Sequence, residues 1–273
     1  MSTITLTASM RSNLSSLKTI QNQMDKTQER LSTGKKVNSA IDNASSYYQS
    51  RALTNRASDL DSLLDSMGQG IQTIQAANEG IEAITSFVEQ MKSVAETAAA
   101  LDPNADGYTE ELAKFAAQFD AIKEQIEDVA KDASYQGVNL LTENTLKVVF
   151  NESRSNDLTI TGKDIVDEID IGDATDVWAD VATVTASIGE ITTAVGKLRS
   201  YATELGNNFT IIETRQNFTD AMIDVLETGA DKLVLADMNE ESANYLALQT
   251  RQQLAINSLA LASQSAQSVL SLF

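Results

Sequence analysis

The sequence predicts a mainly α protein: a long antiparallel coiled-coil or helical-bundle rod with a small β-hairpin region at the tip. Three observations support this fold class. Apolar residues recur every three or four positions over several long runs. A single proline interrupts the 273 residues. Residues 146–172 hold the one convincing pair of β-prone runs. The chain is expected to run out and come back, so that helices at its two ends pair.

The first helix is predicted over residues 3–31. Its stripe combines apolar residues seven positions apart with one flanking leucine: Met10, Leu14, Leu17, Met24 and Leu31. Gly34 suits a helix end, and the Asn, Asp and Ser residues after it compete for backbone hydrogen bonds. Residues 32–44 are therefore expected to form an ordered connector rather than more helix.

Two further helices and a hairpin are predicted in the middle of the chain. One helix runs from about residue 44 to 101 and contains Gly68, Gly70 and Gly80, each of which costs about 1 kcal/mol relative to alanine. The next helix spans about 109–133. The β-prone runs 146–150 and 158–161, separated by a polar turn, predict a hairpin that must pack on helices to be stable.

Another long helical run starts near residue 176, and a polar hinge at 236–239 precedes the final helix, for which Ser242 is the expected cap. The final stripe includes Tyr245, Leu248, Leu259, Val269 and Phe273. No charge occurs from residue 252 to 273, which is long enough for a membrane span. Ten of those 22 residues are amides or hydroxyls, so a membrane span is rejected in favour of helix packing.

Composition excludes several classes of function. The chain has no Cys and no His, so disulfides, thiol chemistry and the commonest general base are unavailable. Its net charge is −19; residues 1–40 carry 6 − 2 = +4, which leaves −23 on the rest. The acidic body argues against a nucleic-acid partner. The first 20 residues lack the apolar run of a signal peptide.

No catalytic or cofactor motif is present, so neither an enzyme nor a cofactor is predicted. The acidic pairs Glu110/Glu111 and Glu240/Glu241 are interpreted as solvated helix faces. A denser acidic cluster could hold Ca²⁺ weakly, but its spacing does not fit an EF-hand and a solvated loop is favoured. That cluster comprises Asp164, Asp167, Glu168, Asp170 and Asp173.

One segment carries a family resemblance. Residues 29–44, ERLSTGKKVNSAIDNA, resemble the N-terminal signature of bacterial flagellin, the filament subunit of the flagellum. Residues 78–80 and 137–141, and 252–254 with 268–272 near the other end, are similar to further flagellin motifs. The resemblance covers about residues 1–145 and 185–273, and the short region between them resembles small flagellins of the α-proteobacterial type.

The resemblance implies a structural subunit that polymerises into the extracellular flagellar filament for swimming. The terminal helices, 1–44 and 236–273, would form the inner core, with a connector containing Gly34, Asn38 and Asp42. Residues 45–145 and 176–235 would form the long-helix rod domain, and 146–175 a variable surface region. Implied partners are the chain itself, sister flagellins, the flagellar export apparatus with an export chaperone, and hook-associated and cap proteins. Export would need no cleaved signal peptide.

Similar flagellins carry O-linked glycans on exposed hydroxyls. The candidates here are Thr183, Thr185, Ser187, Thr192 and Thr193. Two alternatives to a filament subunit remain at this stage. One is a hook–filament junction protein, which shares the terminal motifs. The other is a helical-bundle signalling module, which also uses long antiparallel heptads.

Overall fold

Residues 8–175 and 177–270 are described by a computed structural model, without the side chains of residues 9, 266, 267, 269 and 270. Across these ranges the chain forms six helices and one two-stranded antiparallel sheet. The helices are α1 (Ala8–Thr33), α2 (Ala44–Ala99), α3 (Tyr108–Asp132), α4 (Ile165–Ile169), α5 (Val181–Val234) and α6 (Met238–Leu270), and the strands are β1 (Thr145–Val149) and β2 (Asp157–Thr161). The predicted fold class, mainly α with a small hairpin, is confirmed.

The chain divides into two compact units. The first comprises residues 1–56 and 225–273, and the second comprises residues 57–224. The division falls within α2 and α5 rather than at the ends of those helices. The first unit keeps the beginning of α2 and the end of α5 because they pack together there: a Cβ at Gly229 would lie 3.5 Å from Leu53 Cδ1.

The second unit holds the large apolar core. Side chains from α2, α3, α4, α5 and the hairpin meet in one buried cluster, whose fully buried members include Met67, Met91, Phe119, Leu140, Ile165, Ile191 and Leu198. In the hairpin, Leu146 pairs with Ile160 and Val148 with Leu158. Val148 and Ile160 are buried in the cluster. The hairpin is therefore held by the helices, as expected for an isolated pair of strands.

A polar side chain is buried beside this core, in the turn between α3 and β1. Asn139 Nδ2 donates to the carbonyl oxygens of Ala130 (2.7 Å) and Lys131 (3.0 Å), and its Oδ1 accepts from Leu141 N (2.8 Å). Asn139 therefore ties the last carbonyls of α3 to the following turn. The adjacent Gly137 has φ +82°, a conformation that glycine adopts without strain. The 137–141 motif is thus a capping turn.

Tyr201 on α5 is bonded to the same turn. Its hydroxyl donates to Leu140 O at 2.7 Å, and the ammonium of Lys163 lies 4.9 Å from the ring centroid. Burial raises the pKa of Tyr201 to about 12. The phenol therefore stays neutral and remains a hydrogen-bond donor at any ordinary pH.

Three local predictions were wrong. α5 begins at Val181 rather than near 176, because Asp180 accepts from Thr183 N at 2.9 Å and caps the helix there. α6 begins at Met238, and Asp237 caps it through the backbone N–H groups of Asn239 and Glu240. Ser242 is therefore inside the helix and is not its cap. The short helix α4 was not predicted, since its five residues carry too little periodicity to recognise.

Two carboxylates of the acidic cluster at 164–173 form a helix cap and an ion pair. Asp164 caps α4 by accepting from the N–H groups of Val166 and Asp167, and Asp173 accepts from Lys123 Nζ at 2.6 Å. Among the described residues, no group of three or more acidic side chains is placed to hold a metal ion. The carboxylates that are dense in sequence are thus separated in space by the caps and ion pairs they make.

Close packing explains the glycine at position 80 inside α2. A Cβ at Gly80 would lie 2.7 Å from both Ala133 Cβ and Leu141 Cδ1, whereas a Cβ at Gly68 would meet nothing within 4 Å. Contacts below 3.0 Å force neighbouring atoms to move, and overpacking of this kind costs about 1–3 kcal/mol. Gly80 lowers the helix propensity of α2, but it lets the end of α3 and the 137–141 turn pack closely against this helix.

We expect Gly80→Ala to lower the free energy of unfolding of the second unit by about 1–3 kcal/mol. Gly68→Ala is the matched control: it makes the same chemical change in the same helix, and it should stabilise by up to about 1 kcal/mol because alanine is the better helix former. Urea unfolding followed by the fluorescence of the single tryptophan, Trp178, measures both. Equal effects of the two substitutions would contradict the packing explanation.

Candidate assembly site: the terminal helix pair and its connector

The terminal helices α1 and α6 pack against each other in an antiparallel pair. Arg30 Nη1 donates to Glu241 Oε1 at 2.7 Å near one end, and further along Gln252 Nε2 donates to Gln21 Oε1 at 2.7 Å. The pairing expected from the two terminal stripes is therefore present. It brings together residues more than 200 positions apart in the sequence.

The buried strip between the two helices is thin. Its described members at or below about a tenth exposed are Met10, Met24, Thr27, Glu241 and Leu248. Four positions of the predicted stripes are half-buried: Leu17, Leu31, Tyr245 and Leu259. A two-helix contact covers only one side of each helix, so most of the pair's surface remains uncovered by the chain itself.

Glu241 corrects the expectation that the 240/241 pair is a solvated face. Its side chain is only 10% exposed and pairs with Arg30, whose side chain is 31% exposed. A carboxylate this buried requires a cation because desolvation disfavours an unpaired charge. The ion pair places the start of α6 opposite the end of α1.

The connector after α1 begins at Gly34, close to this ion pair. Gly34 ends α1 with φ +70°, and its N–H donates to Arg30 O at 2.8 Å. The chain then forms a short backbone pairing with the end of α5: Lys36 N donates to Val234 O (2.8 Å) and Ala236 N donates to Gly34 O (2.9 Å). Gly34 is therefore required by its left-handed backbone, and the connector and the hinge before α6 hold each other.

Asp42 organises the rest of the connector. Its Oδ2 accepts from Asn38 N and Ser39 N, both at 3.1 Å, and its Oδ1 lies 3.8 Å from Lys26 Nζ. The backbone N–H of Asn38, followed by that of Ser39, lowers the pKa of Asp42. The Asn38 side-chain amide donates to Thr33 Oγ1 at 3.1 Å. Both predicted connector residues thus hold an ordered turn.

The outer surface of the helix pair carries large apolar side chains that sequence reasoning missed. Four on α6 are at least half exposed: Leu246, Leu254, Ile256 and Leu261. Leu246, Leu254 and Leu261 lie on the side of the helix opposite the buried Leu248. The eight-residue step from Leu246 to Leu254 and the seven-residue step from Leu254 to Leu261 form a second stripe, and that spacing is the signal that could have identified it. In the connector, Ile41 is 97% exposed. Contiguous exposed apolar surface of this kind marks an interaction site.

One residue of the predicted stripes does not pack between α1 and α6, and two others cannot be placed. Leu14 is 51% exposed and does not belong to the intrachain pair, because it lies on the flank of α1 rather than on the side that faces α6. The side chain of Val269 and all of Phe273 lie outside the described residues.

The predicted glycosylation residues separate by exposure. Thr185, Thr192 and Thr193 are exposed on α5. Thr183 is half-buried, and its hydroxyl accepts from the N–H of the capping residue Asp180 at 3.2 Å. Ser187 is buried and accepts a hydrogen bond from Trp178 Nε1 at 3.0 Å. Ser187 is therefore wrong as a candidate for an exposed acceptor: its hydroxyl faces the core because Trp178 folds back over the first turns of α5.

No helix in the described part of the chain combines the length and hydropathy needed to cross a membrane. The helices searched include the described residues of α6, which contain most of the uncharged segment considered above as a membrane span.

Comparison with known proteins identifies the family. The family model described as the bacterial flagellin N-terminal helical region matches residues 2–145, and the flagellin C-terminal helical region matches residues 188–273. The chain belongs to the flagellin family. The unmatched residues between the two flagellin regions contain the hairpin except for Thr145, together with α4 and the start of α5.

Curated relatives agree over nearly the whole chain. Flagellin FljM of Caulobacter vibrioides is 30% identical over 95% of this chain and 94% of its own. A Brucella melitensis flagellin is 30% identical over 100% of this chain and 99% of its own. Among solved structures, Bacillus cereus flagellin matches with a TM-score of 0.47 and 15% identity, covering 55% of this chain and 86% of that one.

This flagellin is a structural subunit of the bacterial flagellar filament, an extracellular structure that serves motility. The predicted resemblance and function are confirmed. The family membership excludes the signalling-module alternative, and the names of the Caulobacter and Brucella relatives favour a filament subunit over a junction protein.

Proposed function

We propose that the terminal helices, 1–44 and 236–273, form the inner core of the filament and drive polymerisation through a second copy of the chain. Residues 45–145 and 176–235 form the rod domain, and 146–175 a variable surface region. The observation that carries this proposal is the second apolar stripe of α6, with Leu254 and Leu261 more than 60% exposed in the single chain.

The energetics support polymer contact at this surface. Each fully buried Leu side chain contributes about 1.5–3 kcal/mol, so covering the three leucines of the stripe offsets part of the cost of association. The proposed partner is another copy of the chain, since membership of the flagellin family implies self-assembly into a filament; sister flagellins are proposed to join through the same surface. Leu14, Val269 and Phe273 are proposed to take part in these inter-subunit contacts, together with the half-buried Leu17, Leu31, Tyr245 and Leu259.

Export and capping partners form a further part of the proposal. The subunit is proposed to leave the cell unfolded through the flagellar export apparatus, with an export chaperone and without a cleaved signal peptide. The absence of cysteine supports such a route, since no disulfide has to form or break. Hook-associated and cap proteins are proposed to meet the same terminal helices at the two filament ends. No enzymatic activity is proposed.

Glycosylation is proposed at the exposed hydroxyls of Thr185, Thr192 and Thr193. Their positions on one exposed side of α5 support access by a transferase. The intact mass of filament protein taken from cells should exceed the sequence mass by whole sugar residues, and Thr→Ala at these positions should remove the excess. An unmodified mass would contradict this part of the proposal.

Seeded assembly tests the filament role directly. Purified protein is heated, cooled and mixed with short filament seeds, and growth is followed by electron microscopy. We expect uniform hollow filaments that lengthen with time. Seeds that never extend, under conditions where the protein is helical by circular dichroism, would contradict a self-propagating subunit and favour a junction protein.

A further inference from the structure

A polar groove lies between α1 and α6 beside the Arg30–Glu241 ion pair. It measures about 320 Å³, a volume sufficient for a side chain from another molecule. Thr27 and Leu248, both buried, lie at its base. Lys26 and Arg30 line it from α1, and Arg251 lines it from α6.

The groove holds more positive charge than the chain neutralises. Its lining residues include three cations and one carboxylate, Glu241, and Asp42 beside it lies 3.8 Å from Lys26 Nζ, so 3 − 2 = +1. This local excess occurs in a chain with net charge −19. Glu241 is already committed to Arg30 at 2.7 Å. The groove therefore has donors in excess of acceptors.

Each cation retains binding capacity. Arg251 forms no ion pair or hydrogen bond with the described residues. Lys26 reaches only Asp42, at 3.8 Å, and that carboxylate already accepts backbone hydrogen bonds. Arg30 uses Nη1 for Glu241, while its Nε is buried with no partner among the described residues. A guanidinium offers five donors and suits a carboxylate, which accepts in pairs.

We propose that this groove, lined by Lys26, Arg30 and Arg251, receives an acidic side chain from a second copy of the chain in the filament. Charge complementarity selects this occupant: residues beyond position 40 carry −23, so a neighbouring copy presents carboxylates. The groove also lies on the same helix pair as the exposed apolar stripe. An ion pair here sets the register of two copies, while the apolar contacts supply most of the association energy.

The proposal rests on the filament role and adds a specific contact to it. Arg251→Glu places a carboxylate where the incoming carboxylate should lie. We expect the critical concentration for seeded assembly to rise by about tenfold, since like charges at an interface oppose association. Arg251→Lys keeps the charge and should assemble within about twofold of the unaltered chain. Raising the salt concentration should reduce the difference between R251E and the unaltered chain by screening.

Lys18→Glu is the matched control. Lys18 is exposed on α1 and does not line the groove, so the substitution makes an equal change in net charge on the same helix pair. We expect K18E to change the critical concentration by less than about twofold. Circular dichroism melting of each monomer checks that the helix pair survives. Normal assembly of R251E, or an equal defect in K18E, would overturn the proposal.

Cross-linking provides a second readout that does not depend on loss of assembly. In filaments of R251K assembled from a mixture of ¹⁴N and ¹⁵N chains, a carbodiimide joins an amine to a carboxylate in direct contact. We expect a mixed-isotope amide joining position 251 or Lys26 to an Asp or Glu of another copy, absent from monomers. Assembled filaments that yield only intrachain products at these positions would overturn the groove contact and leave the filament role intact. Failure of the unaltered chain to assemble would count against the filament role instead.

Discussion

A chain that ends at residue 242 is expected to form no filaments while its second unit remains folded. Deleting residues 243–273 removes Leu248, the hydrogen bond from Gln252 to Gln21, and the exposed stripe of α6. α1 then has no partner for Met24, and it loses the packing of its apolar face, from which most of a helix's stability in a protein comes. The inter-subunit surface and the intrachain pair are lost together.

The second unit is expected to keep its stability because none of the deleted residues belongs to its buried core. Every member of the large buried cluster lies between Met67 and Ile212. We therefore expect a cooperative thermal transition, followed by Trp178 fluorescence, within a few degrees of that of the full chain. Circular dichroism should lose the helical signal of α6 and much of that of α1.

Electron microscopy and sedimentation after addition of seeds measure the assembly part of this prediction. The full-length chain, carried through the same heating and cooling, is the control. Filaments formed by the truncated chain would contradict the assignment of polymerisation to α6. Unfolding of the second unit would contradict its independence from the terminal helices.

The largest expected effect of a single substitution on stability is at Asn139. Asn139→Ala removes two bonds to the carbonyls of Ala130 and Lys131 and one from Leu141 N. The Ala130 carbonyl and the Leu141 N–H would be left buried without these partners, at a cost of about 1–3 kcal/mol each, whereas the bond to the Lys131 carbonyl is only part-buried. Because water can enter the space left by the side chain and recover part of this loss, we expect the free energy of unfolding to fall by about 3 kcal/mol.

Asn144→Ala is the control for this substitution. Asn144 is an exposed asparagine in the next turn, and its side chain makes a single long contact, 3.4 Å to Thr142 Oγ1. Its loss should cost less than about 0.5 kcal/mol, as is usual for surface positions. Urea unfolding followed by Trp178 fluorescence compares the two variants. A loss at Asn139 no larger than that at Asn144 would show that the 137–141 turn does not depend on its capping side chain.

Periodicity in the sequence was sufficient to predict the long helices. α1, α2, α3 and α5 each repeat apolar residues over many turns, so errors at their ends left the assignments intact. Reasoning from periodicity failed where a single local hydrogen bond determines the residue at which a helix begins. Asp237 rather than Ser242 caps α6 because its carboxylate reaches the N–H groups of Asn239 and Glu240. A cap depends on side-chain geometry over three residues, which periodicity does not report.

Prediction of the site residues succeeded where their contacts are local in sequence and failed where the contacts join distant residues. The connector residues Gly34, Asn38 and Asp42 were found because a dense local motif carries them, and their bonds are mostly local. Arg30–Glu241 joins residues 211 positions apart, so no local pattern indicates it. The stripe of α6 that packs on α1, with Leu248 at its centre, was predicted, but the second apolar stripe on the opposite side of the helix was missed because nothing within the described part of the chain covers it.

The sequence by itself determined the mainly α class, the hairpin and the pairing of the two ends, since hydrophobic spacing acts through short-range helix geometry and needs only the order of residues. Tertiary structure alone decided that Ser187 is buried, that Leu14 and Leu261 face outward, and that Lys26, Arg30 and Arg251 share one groove. Those outcomes depend on which surfaces meet. Packing chooses among faces of equal hydrophobicity by the fit and the charges of residues far apart in the chain.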